Sequence, residues 1–160
     1  MEKIYGTKQR QDTLLRIGRN RWMLFYGFGK DDDKSETGWE WRHTFDHKPT
    51  TAEVREIILS AINTYTEEKI VHGFQWNGEA VYLSPENQLN FAAIERSKSI
   101  SYPLTLKINE QEDGTPVYHT FENATDFIAF SQAACAYVIE TVQDGWREKD
   151  SVDWTMFNLK

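Results

Sequence analysis

Apolar side chains alternate with polar ones over much of residues 14–45, recur every three or four residues between 54 and 65, and show both periods again further along. Alternation places one set of side chains on one face of a strand, and recurrence at three and four places them along one side of a helix. Leu14 to Arg19, Arg21 to Phe28 and Thr37 to Phe45 are therefore predicted strands. The Gly18-Arg19-Asn20 turn and the polar loop Lys30 to Glu36 separate them. In the third strand Trp39, Trp41, His43 and Phe45 alternate with Glu40, Arg42 and Thr44. A helix follows Pro49. Thr50 and Glu53 have the capping-box spacing, and Val54, Ile57, Ile58, Ala61, Ile62 and Tyr65 share one face. The opposite face carries Glu53, Arg55, Glu56 and Asn63, so the helix is expected to lie on the sheet.

The stretch Gly73 to Asn90 reads as a hairpin running into a capped helix. Asn77-Gly78 supplies the two positive-φ residues of a type I′ turn, flanked by Phe74, Trp76, Val81 and Leu83. Ser84-Pro85 then opens a helix over about 85–98, with serine as the cap and proline where a missing N–H costs nothing. Leu104, Leu106 and Ile108, a Glu112-Asp113-Gly114 turn, and Val117, His119 and Phe121 form a further hairpin. A long helix over 124–144 is capped near Asn123 or Thr125 and ended by Gly145. It turns Phe127, Phe130, Ala134, Tyr137, Val138 and Thr141 inward. The tail from Trp146 to Lys160 either docks on the body or waits for a partner. The expected class is α+β: antiparallel β-hairpins alternating with three α-helices, in a single unit over 1–160. If it divides, the sub-lobes are 1–69 and 70–160, with the seam near 69–74 or 98–102.

At 160 residues the chain can bury one good core or two small ones. Its hydrophobic fraction of 39% is modest, but six Trp, seven Tyr and nine Phe make a core credible despite a mean hydropathy of -0.65. A net charge of -7 disfavours a nucleic-acid backbone as the main partner. The local cluster Arg10, Arg16, Arg19 and Arg21 reads as a solvated face or a contact to an acidic partner. Cys135, the sole cysteine, lies in an apolar helical run and reads as a buried small hydrophobe that ties the chain to no oxidising compartment. The N-terminal residues lack an apolar signal core and no segment approaches membrane-spanning length, so a cytoplasmic origin is expected.

Candidate chemistry is sparse. His43, Asp46 and His47 are the only cluster of ligand-type residues, and two histidines four apart have no common face on a strand that leads into a turn. Asp31-Asp32-Asp33 lacks the spacing and distal glutamate of a calcium loop, and Gly27-Phe28-Gly29-Lys30 lacks the length and hydroxyl of a phosphate loop. No nucleophile is paired with a base, so no catalytic residue, metal or cofactor is expected. The aromatic residues Trp22, Phe25, Tyr26, Phe28, Trp39 and Trp41 exceed what one face of a small sheet absorbs easily, so although any single ring reads first as core, some ring surface is expected to be left for a protein contact and, after that, for stacking on a sugar. The expected interface residues are Trp22, Trp39, Trp41, Trp154, Met156 and Phe157. Asn87, Gln88 and Asn90 are expected to tie the hairpin to its helix through backbone hydrogen bonds.

The segments Trp41-Arg-His-Thr-Phe-Asp-His-Lys-Pro, Gly-Phe-Gln-Trp76-Asn-Gly, Val-Tyr-Leu-Ser84-Pro-Glu-Asn-Gln88-Leu-Asn90 and Tyr118-His-Thr-Phe121 resemble an uncharacterised domain family. Its members are encoded in tailed bacteriophages and prophages, often among tail or tail-fibre genes. The resemblance covers about 40–150 and carries no catalytic role to any residue. It implies a virion structural protein, tail- or fibre-associated, working through protein–protein interfaces in a homo-oligomer or symmetric assembly with other phage structural proteins. Membrane and nucleic acid are not expected partners. The implied location is the virion, and the host cytoplasm during assembly. The alternative is a tail-fibre assembly chaperone that leaves the particle, and after it a metal-dependent enzyme built on His43, Asp46 and His47.

Overall fold

The structure, a computed structural model, describes residues 1–32, 34–97 and 99–157. Asp33 of the acidic loop, Lys98 of one expected seam and the last three residues of the tail lie outside this set. The element order is β1 (Glu2–Thr7), β2 (Thr13–Arg16), β3 (Trp22–Gly29), β4 (Gly38–Phe45), α1 (Thr51–His72), β5 (Gln75–Trp76), β6 (Glu79–Ala80), α2 (Pro85–Arg96), β7 (Leu104–Glu110), β8 (Pro116–Phe121) and α3 (Ala124–Asp150). A 3-10 turn at Trp154–Phe157 follows. The fold is α+β, with three helices following antiparallel hairpins. Two compact units emerge, Met1–Asn63 with Glu148–Lys160, and Thr64–Arg147. The divisions fall inside α1 and α3, whereas the sequence places a seam at 69–74 or 98–102, because loops and hairpins are where composition changes.

In the first unit four antiparallel strands run in the order β1-β4-β3-β2. Strand β1 has no counterpart among the predicted strands. Its pattern is broken by Gly6 at φ 106, where the register with β4 shifts, and its partner lies far along the chain. Paired residues share a face, so Trp22, Leu24 and Tyr26 of β3 lie beside Phe45, His43 and Trp41 of β4. Among the described residues the core of this unit includes Leu24, Tyr26, Trp39, Trp41 and Phe45 from this inner face, Pro49 just before α1, Val54, Ile58, Ala61 and Ile62 of α1, and Val152 and Phe157 of the tail. The capping box forms as predicted: the Glu53 N–H donates to Thr50 Oγ1 (3.3 Å), and the Thr50 N–H donates to Glu53 Oε2 (2.7 Å).

The second unit packs around aromatic rings. Phe130 of α3 meets Phe91 at 4.9 Å, Phe121 at 5.0 Å, Trp76 at 5.6 Å and Phe74 at 6.1 Å between centroids. The Asn77-Gly78 turn forms with φ 50 and 85, but its ladder has only two residues on each side because α1 continues to His72. Ser84 caps α2, accepting from the Asn87 N–H at 3.2 Å. As expected of hairpin-to-helix ties, Asn87 Nδ2 donates to the Tyr82 carbonyl and Gln88 Nε2 to the Leu83 carbonyl, each at 2.8 Å. Gly145 does not end α3. It is buried in mid-helix, where an added Cβ would lie 2.5 Å from Thr66 Oγ1, so the glycine permits a close approach rather than a stop.

A candidate interaction surface on the four-stranded sheet

The expected interface residues separate once the register of β4 is known. Trp39 and Trp41, 3% and 9% exposed, belong to the core. This corrects their assignment to a surface. Both point to the inner face, where their rings meet edge to face at 5.5 Å and the Lys3 ammonium lies 4.4 Å from Trp39. Glycines make the room: a Cβ on Gly29 would fall 2.3 Å from the Trp39 ring. Phe157 is likewise buried at 5%, because the tail docks, its ring 6.4 Å from Tyr26. Trp154 is half-buried beside Phe157, with the Arg55 guanidinium 5.0 Å from its ring, and Trp22 is half-buried on β3. Met156 alone of the six is open, at 54%.

A polar cluster closes the other side of Tyr26. Its hydroxyl donates to Glu148 Oε1 at 2.6 Å, and Arg10 bridges Asp12 (2.8 Å) and Glu148 (3.1 Å). Burial, followed by the Glu148 contact, raises the Tyr26 phenol, so it stays a donor at neutral pH. The histidines are accounted for locally. His43 is half-buried against Phe45 at 4.6 Å, and burial lowers its pKa. The exposed His47 ring bonds Asp46 at 2.8 Å and Glu53 at 2.9 Å, contacts that raise it. Among the described residues no group of three or more His, Cys, Asp or Glu is placed to hold a metal ion.

The opposite face of the sheet is the unusual one. Its register sets Ile4 beside Glu40, Glu2 and Phe25 beside Arg42, and Met23 beside both Thr44 and Leu15. A β-bulge interrupts the ladder at its centre. Tyr26 pairs with Trp41 and Gly29 with Trp39, leaving Gly27 and Phe28 together opposite Glu40. Gly27 takes φ 70, and its N–H donates to Asp12 Oδ1 at 2.8 Å instead of to the ladder. Glu40 is 7% exposed, and among the described residues its Oε2 has no hydrogen-bond partner. Burial pushes this carboxyl up, against the pull of Arg42, and Asp12 adds to the rise. Arg42 reaches Glu2 at 2.9 Å.

Comparison with protein-family models, curated proteins and solved structures finds no match. The surface is therefore read from its own chemistry. A buried carboxyl oxygen without a donor, on a sheet face with half-buried apolar residues, costs stability. Sequence reasoning passed over Glu40 as the polar side of an alternating strand; the signal was Gly27 and Gly29 within the neighbouring strand, which mark a bulge. It also missed a second exposed feature. Ile128, Cys135, Ile139 and Trp146 share one side of α3, with Ile139 53% and Trp146 59% exposed. Cys135 is thus on the surface, not in the core, because the inward-facing residues of α3 are Phe127, Phe130, Ser131, Ala134, Thr141 and Gly145.

Proposed function

We propose that this chain is a structural protein of a tailed-bacteriophage particle, tail- or fibre-associated, that works by binding other protein chains and carries out no reaction. The observation that carries the binding part of the reading is the outer sheet face, where Ile4, Met23 and Phe25 are only half-buried and Leu15 is 48% exposed beside them. A contiguous apolar face left open in this way is the kind of surface a protein partner covers. The phage setting rests on the resemblance carried by the Trp76-Asn-Gly hairpin and the Ser84 to Asn90 helix start. In this reading Asn87 and Gln88 hold the scaffold, since both are spent on backbone carbonyls. The test is mass spectrometry of gradient-purified particles from the phage or induced prophage encoding the chain. Copy number in fixed ratio to the major capsid protein is the expected result. Abundance in the lysate with absence from particles would overturn the virion reading in favour of an assembly chaperone.

A further inference from the structure

We infer that the exposed side of α3 is a two-fold interface between two copies of this chain, in which the helices run antiparallel and Ile128, Cys135 and Val142 of each copy meet Trp146, Ile139 and Gln132 of the other. The inference adds a second surface to the reading above. Its physical basis is separate from the sheet face.

Ile128, Gln132, Cys135, Ile139, Val142 and Trp146 follow one another at steps of four, three, four, three and four. These are the a and d steps of a heptad, which keep a seam on one side of a helix for a partner helix. The core takes a different side of α3: Phe127, Phe130, Ala134 and Thr141 are buried, whereas Ile128 is 38% exposed and Gln132, Cys135, Ile139 and Trp146 are open to solvent. Val142 is half-buried. The seam is also uncharged. In a chain with 27% charged residues, the charged side chains of 127–146 are Glu140 and Asp144, and both fall roughly 120° or more around the helix from the centre of the seam. Depletion of charge at the centre of a patch is what marks a protein interface.

Symmetry and size select the occupant. The six positions mirror one another about Tyr137, 128 with 146, 132 with 142 and 135 with 139. A two-fold axis at Tyr137 therefore brings each member onto its mirror in an antiparallel copy, residue i meeting j and j meeting i. Two of the three layers then set a smaller side chain against a larger one, Ile128 against Trp146 and Cys135 against Ile139, which is how facing layers interdigitate. A parallel copy would set Trp146 on Trp146 and Cys135 on Cys135, crowding one end and leaving a gap in the middle. It would also align the two helix macrodipoles, which the antiparallel pair opposes. With a net charge of -7 on each copy, an uncharged seam is where two copies approach with least repulsion. A seam of about 27 Å by about 10 Å is small beside the roughly 800 Å² per partner of a standard interface, so the dimer is weak, expected at tens of micromolar and above.

Sedimentation equilibrium of the full chain, from low micromolar to millimolar, tests this. The mass should rise with concentration from 18.8 kDa toward twice that value. Ile139→Glu should weaken association about tenfold or more by placing a carboxylate in the middle of the seam. Ile128→Glu and Trp146→Lys should each weaken it as well, and the chain carrying both should regain most of it, because the introduced carboxylate of one copy meets the introduced ammonium of the other. Within one chain the two positions stand about 27 Å apart along α3 and cannot pair. All three positions are exposed, so circular dichroism and the urea midpoint should hold at the parent values. If Trp146→Lys fails to fold, Ile139→Glu and Ile128→Glu decide. A mass of 18.8 kDa throughout would overturn the proposal. So would association that ignores the α3 substitutions and falls instead with Met23→Glu, which would place the contact on the sheet. A double variant weaker than either single one would also overturn it, since like charges meet in a parallel pair. Particle composition is independent of this result: a dimer absent from particles sinks the virion reading alone, and a monomer present in them sinks the dimer alone.

Discussion

In the unit formed by Thr64–Arg147, large rings converge on Phe130 from several elements; in the sheet unit they stand in a row along β4, with glycines on β3 clearing space for them. The first arrangement distributes each ring's contacts over several partners. The second makes the burial of Trp39 depend on backbone shape, since the room comes from Gly29 and from the bulge beside it. A ring cluster tolerates small changes at its edges, whereas a row fitted against backbone tolerates none at the fitting point. The helix starts differ in the same spirit. The α2 cap in the second unit is neutral, Ser84 with Pro85, while the α1 cap in the first is a charged relay of Asp46, His47, Glu53 and Thr50.

The sharpest way to break the comparison is at its two centres. Phe130→Ala should cost about 3–5 kcal/mol, seen as a lower urea midpoint, because no neighbouring ring can fill the void. Gly38→Ala should cost about 1–3 kcal/mol, the usual range for overpacking, although it adds a single carbon. That carbon would lie 2.1 Å from the Gly29 carbonyl oxygen and under the Phe28 ring, and a backbone atom between paired strands cannot step aside. If Gly38→Ala were neutral, the fitted-row account of the sheet unit would fail.

Smaller effects sharpen the contrast between the caps. Ser84→Ala should lower stability by about 1 kcal/mol, by the same amount across pH. The α1 cap should instead depend on pH. The Thr50 backbone N–H, the Thr50 hydroxyl and His47 pull the Glu53 carboxyl down to about 2 from its ordinary 4.5. Its stabilisation is therefore complete above 4.5 and drains away as pH falls toward 2. His47 is raised above 6.5, first by Asp46 and then by Glu53, so its contribution is complete below 6.5 and is lost as pH rises through the raised value. Melting temperature against pH should then show α1 held best between these limits, and Glu53→Gln should flatten the acid side while leaving the Ser84→Ala difference untouched.

What could be read from the sequence follows the same division. Asn77-Gly78, Ser84-Pro85 and Thr50 with Glu53 each act within a few residues, so their chemistry is complete in a short window and the structure reproduces it. Strand β1 depends on a partner far along the chain and no local pattern announces it, while Gly27 and Gly29 mark the bulge but only the register with β4 places it opposite Glu40. Of the expected interface residues, Trp39, Trp41 and Phe157 went astray for this reason. Counting rings against one sheet face suggested a surplus, but the count ignored the space released by Gly29 and the docking of Phe157 on Tyr26. Gly145 shows the converse error, in which a residue type with a familiar local role at helix ends serves a contact with Thr66 instead. Glu40 combined both difficulties: its residue type fitted the polar side of the strand, and its isolation appears only when the opposite strand is in register.

The exposed Cys135 gives the chain a single chemical handle. With no second thiol in the sequence, a maleimide dye attaches at one defined place on α3, and no disulfide has to be protected first. That place sits in the α3 seam, so the rate at which it is labelled reads the fraction of chains whose seam stands open. A dye that brightens on reaction would then turn association into an optical signal, followed in real time and at concentrations below those a centrifuge can weigh.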